Sequence, residues 1–146
     1  MLPGYSREAL RRQYAEVWQR RRERLPLSPL ETLIADVIEL HPEYRPLVED
    51  AQAALAFDAS PTPGGDARHN PFLHMGLHIA VREQLAVDRP AGIAALHREW
   101  AARLADPHEA EHRLVEALAE TLFEAQSLGR APDEQRYLER ARRRLG

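Results

Sequence analysis

Two histidine pairs share one spacing. His74 and His78 stand four residues apart in NPFLHMGLHIAV, and His108 and His112 stand four apart in DPHEAEHRLVEALAE. The second pair runs on into Glu116 and Glu120 at the same interval. Side chains four apart lie one above another on a helix face. Helical metal sites present imidazole and carboxylate together in this way. The pattern points to a helical protein with a polar, metal-competent cluster inside. It names no substrate and no reaction.

Helices must carry these faces inward, and the chain signals helices throughout. Ser28-Pro29, His41-Pro42, Asn70-Pro71, Arg89-Pro90, Asp106-Pro107 and Ala131-Pro132 each precede a helix-like stretch. Proline suits the first helical position, where its missing N–H leaves nothing unsatisfied. Ser28 with Glu31 reads as a capping box, Asp106 with Glu109 as a close relative, and Asn70 as an N-cap. The signals predict helices near 6–24, 29–41, 43–57, 71–86, 90–105, 107–128 and 132–144. No useful stretch alternates with period two, so no sheet is expected. The segment 58–68, DASPTPGGDAR, reads as a loop or crossover. The expected fold is an all-α, single-domain bundle of about six to seven helices spanning 1–146, with this one longer Pro/Gly loop.

Composition limits the chemistry. At 146 residues the chain is long enough for one domain with a core. Its apolar fraction of 44% and charged fraction of 29% are ordinary for a globular protein. A net charge of -3 gives no global reason to bind nucleic acid or an anionic membrane. There is no cysteine, which removes disulfides, thiolate ligands and cysteine nucleophiles, so any metal must be held by nitrogen and oxygen. The first residues lack an apolar core of a secretory signal, and no apolar run reaches the roughly 18 residues of a membrane span, so a cytoplasmic protein is expected.

On the 71–86 stretch, Val81 and Leu85 fall beside His74 and His78, so these imidazoles are framed by aliphatic groups and need partners. On 107–128 the apolar face is Leu114, Val115, Leu118, Leu122 and Ala125. His112 can look inward between Ala119 and Phe123, with Glu116 just beyond Phe123 and Glu120 further round. His41 falls near the centre of the inner face of 29–41, marked by Leu30, Ile34, Val37 and Ile38. The candidate ligands are therefore His74, His78, His112 and Glu116, with His41 as an alternate. Such a set suits one divalent ion of Zn, Fe, Mn or Ni. If that ion keeps an open position, Glu120 is the candidate base for an activated water. The same histidines also fit a purely structural cluster, bonded to carboxylates or backbone.

Other chemistry is thin. Glu109-x-x-His112 is a single match to a motif that di-iron bundles use twice, and no HExxH motif, P-loop or GxGxxG is present. Ser6, Ser28, Ser60 and Ser127 lie at helix ends or in the loop, away from any triad pattern. The N-terminal stretch interleaves Arg7, Arg11, Arg12, Arg20, Arg21, Arg22 and Arg24 with Tyr14 and Trp18, and Arg136, Arg140, Arg142, Arg143 and Arg144 form a second basic run. Such runs are usually solvated faces. The alternative function is therefore a small helical adaptor with structural histidines, binding a protein partner through these terminal helices. Nucleic acid is a weaker candidate for them.

The stretches LSPLETLIADVIELHPEY, NPFLHMGLHIAVREQLAVDRPAGI and HEAEHRLVEALAETLFEAQ, with the closing PDEQRYLERARR, resemble a small bacterial family known as domain-of-unknown-function family 1841. The resemblance spans nearly the whole chain and includes His41, His74, His78, His112, Glu116 and Glu120. It implies no activity. Arg45 stands where the family pattern carries a further histidine, so no ligand is expected there.

Overall fold

The computed structural model describes residues 7–49 and 71–145. Among these the chain is all-α, with seven α-helices, a short 3-10 turn and no strand. The predicted 58–68 crossover and most of the predicted 43–57 helix lie outside the described residues.

In the first half, α1 (Arg7–Arg22) packs on α2 (Pro29–Glu39). Tyr14, Val17 and Trp18 recur at helical spacing and are buried, as are Ile34, Val37 and Ile38 of α2. Each such side chain contributes roughly 1.5–3 kcal/mol when fully buried. At the rim, the guanidinium groups of Arg20 and Arg21 meet Glu31, Asp36 and Glu39 at 3.1, 2.8 and 2.9 Å. These arginines of the N-terminal basic run are thus tied to α2. The predicted capping box is present: Ser28 Oγ accepts from the Glu31 N–H, and Glu31 accepts from the Ser28 N–H. Helix α2 stops two residues short of His41. A 3-10 turn (Pro42–Tyr44) and the short α3 (Arg45–Val48) follow.

Helix α4 (Pro71–Val87) carries His74 and His78. Phe72, Met75, Leu77, Ile79 and Val81 on it are buried, whereas Leu73 is exposed. In the second half, α5 (Ile93–Leu104), α6 (Pro107–Leu128) and α7 (Glu134–Leu145) follow, and α6 packs against both α5 and α7. Helix α6 has the predicted bounds. The Asp106 carboxylate accepts from the His108 and Glu109 N–H groups, and Gly129 ends the helix at φ 62°.

Helix α5 begins three residues later than proline placement suggested. Asp88 accepts from the N–H groups of Gly92 and Ala94, and Gly92 sits at φ 99°. The chain between them is therefore a side-chain-capped turn, with the Arg89–Pro90 peptide cis. Asp133 similarly caps α7 through the Gln135 and Arg136 N–H groups, so that helix starts at Glu134. No helix among the described residues is long and apolar enough to cross a membrane.

Candidate metal centre

The histidines gather in two sets, each built by local helix geometry. In the first, His41 lies two residues beyond α2, at the start of the 3-10 turn, and is only 3% exposed. Its Nδ1 lies 2.7 Å from the Val37 carbonyl oxygen. A carbonyl can only accept, so Nδ1 carries the proton and Nε2 keeps the lone pair. The ring stacks on Tyr44 and meets His74 edge-on, with centroids 5.3 and 5.0 Å away.

The second set is His78, His108 and His112. His78 is fully buried, and its ring meets His112 edge-on at 4.7 Å and stacks on His108 at 5.5 Å. His108 and His112 are themselves 4.2 Å apart. The pair on α6 and the second member of the pair on α4 therefore do meet. His112 is half-buried.

Glu111 completes this set, and spacing along the stripe did not single it out. Its Oε2 lies 2.8 Å from His78 Nδ1, and its Oε1 accepts from Arg82 Nε at 2.8 Å. Only 4% of Glu111 is exposed. Burial pushes its carboxyl up, but the His78 hydrogen bond and the Arg82 charge outweigh burial and hold it below its ordinary value. An ionised carboxylate can only accept, so His78 bears a proton on Nδ1, and its neutral form keeps the lone pair on Nε2.

A signal for Glu111 did exist. At about 100° per residue, position 111 falls between Leu118 and Val115, in the middle of the apolar arc of α6. A carboxylate there must be buried and therefore partnered. Arg82 is likewise one turn beyond His78 on the face that carries His74 and His78.

Glu116 and Glu120, expected as ligand and base, are exposed and face away from the histidines. Arg144 of α7 pairs with both, at 2.8 Å from Glu116. Glu124 is held by Arg140 at 2.6 Å and by Arg136. The physical reason is rotational. Each four-residue step advances about 40° around the helix, so the stripe that begins near the core at His108 ends on the outer face. Arg136, Arg140 and Arg144 of the C-terminal basic run meet this carboxylate row. Arg45 holds its guanidinium 5.5 Å from the Trp18 ring centroid, a packing role.

The model of the family described as "Domain of unknown function (DUF1841)" matches residues 6–143. The chain belongs to this family. Both histidine sets, Glu111 and Arg82 lie inside the DUF1841 match. No curated protein and no solved structure gives a significant match. Membership in DUF1841 brings no stated reaction, so the chemistry rests on the side chains themselves.

Proposed function

We propose that this protein binds one divalent transition-metal ion through His41, His74, His78 and His112. One arrangement carries the reading: His41 meets His74 edge-on at 5.0 Å, His78 meets His112 edge-on at 4.7 Å, and His74 and His78 stand one turn apart on α4. Two hydrogen bonds support it. Val37 O and Glu111 fix the protons of His41 and His78 on Nδ1, which leaves Nε2 able to donate to a metal. His41 takes the fourth place in the set in preference to Glu116, whose carboxylate is engaged by Arg144.

The donor set is all imidazole. That chemistry suits Zn, Cu, Fe or Ni and disfavours Mn, Mg and Ca, which prefer oxygen. Four protein donors satisfy a four-coordinate ion, the arrangement of closed metal sites. The reading is therefore metal binding, with no hydrolytic step assigned to Glu120.

Elemental analysis of the purified, untagged protein after reconstitution tests this. Near one equivalent of metal is expected, with loss in His78→Ala, His112→Ala and His41→Ala. A reconstituted wild type that stays metal-free sinks the reading. The histidines would then be structural, and the search would turn to a protein partner.

A further inference from the structure

We propose that Glu111, clamped by Arg82, is the positioning residue that makes His78 a metal ligand. This rests on the metal reading above and extends it to residues outside the ligand set. Three observations support it.

First, both carboxylate oxygens are committed. Oε2 faces His78 Nδ1 and Oε1 faces Arg82 Nε, each at 2.8 Å, so the carboxylate cannot rotate without breaking a contact. Second, His78 and Arg82 stand one turn apart on α4, whereas Glu111 comes from α6. The bridge therefore fixes the His78 ring against a different helix and sets both its tautomer and its plane. Third, Glu111 is buried, only 4% exposed, with its carboxylate held between the His78 and Arg82 donors. A carboxylate behind an imidazole raises the donor strength of the opposite nitrogen, and such partners typically account for about 10–100-fold in metal affinity.

His108 belongs to the same arrangement from outside. Its Nδ1 is 3.8 Å from Glu111 Oε2 and its ring covers that of His78 face to face. It shields the bridge from solvent without displacing it.

The test uses the full chain with Co(II) as probe, because Co(II) reports its coordination by visible absorption. Glu111→Ala is expected to weaken Co(II) binding about 10–100-fold. Glu111→Gln, which keeps an acceptor oxygen without the charge, should lose less, about 3–10-fold. A second readout needs no metal. Long-range 15N–1H spectra of the metal-free protein should show His78 protonated on Nδ1 in the wild type and Glu111→Gln, and shifted toward the Nε2–H form in Glu111→Ala. A merely structural Glu111 would leave that tautomer unchanged.

Wild-type affinity in both variants, or an unaltered His78 tautomer in Glu111→Ala, overturns the proposal while leaving the metal reading intact. A wild type that binds no Co(II) removes the metal reading and this proposal together. If Glu111→Ala fails to fold, Glu111→Gln decides alone: unchanged affinity there overturns the proposal.

Discussion

Glu111 on α6 accepts a 2.8 Å hydrogen bond from Nδ1 of His78 on α4, and both side chains are buried. This contact links the most deeply buried histidine among the described residues to a carboxylate in the middle of an apolar helix face. Removing one partner of such a buried pair exposes the desolvation cost of the other. Glu111→Leu should therefore destabilise the metal-free protein by about 1–3 kcal/mol, read from urea unfolding at pH 7. An unchanged midpoint would mean that the His78 and Arg82 donors find equivalent acceptors elsewhere.

The outer carboxylate row behaves differently. Glu116, Glu120 and Glu124 are met by Arg136, Arg140 and Arg144 on α7, in partly exposed ion pairs. Glu116→Gln and Glu120→Gln should retain the wild-type metal content and melt within a few degrees of the wild type. Raising the salt concentration should shrink even that difference. Loss of metal in Glu116→Gln would put this carboxylate back among the ligands.

Burial pushes the Tyr14 hydroxyl up from its ordinary value of 10.0 to about 12. A raised folded-state value means that the neutral phenol is favoured in the native protein. The stabilisation is fully present below pH 10 and is lost as pH rises from 10 through 12, a share of up to roughly 2–3 kcal/mol. Tyr137, whose hydroxyl donates to Gln84 at 2.7 Å, is raised by burial in the same direction. Absorbance at alkaline pH should show these two tyrosines ionising together with unfolding. Tyr14→Phe should lose less stability between pH 9 and 12 than the wild type does. A Tyr14 that titrates near 10 in the folded protein would contradict the packing of α1.

At the acid end, the N–H groups of Ala94 and Gly92 hold the Asp88 carboxyl below its ordinary value of 3.8. A lowered folded-state value gives stabilisation that is present above the ordinary value and lost as pH falls through the lowered one. The melting temperature of Asp88→Asn should therefore fall less steeply than that of the wild type between pH 5 and 2. At neutral pH the variant should melt a few degrees lower, because the turn entering α5 loses its charged acceptor. Parallel acid profiles would show that the Asp88 contacts carry no net stability.

Helix boundaries were legible wherever the chain writes its own caps. Asp106-Pro107 and Gly129 delimit α6, and Ser28 with Glu31 opens α2, because these signals act within a turn or two of backbone. Asp88 escaped that reading. The N–H donors it accepts from lie four and six residues ahead, across a turn whose path the sequence does not state.

The i, i+4 spacing of His74 with His78 and of His108 with His112 was enough to place each pair on one helix face, since helical geometry is local. Which polar groups turn inward was decided by packing. The four-residue stripe on α6 rotates by about 40° at each step. Arg144, from a separate helix, captures its outer members Glu116 and Glu120. Glu111, off the stripe, faces His78 instead. His41 reaches His74 across 33 positions of chain, a meeting that no local periodicity encodes. The sequence by itself determined an all-α chain and the spacing of its donors. The tertiary structure chose the partners, because burying a charge or an imidazole is tolerated only where another element supplies its complement.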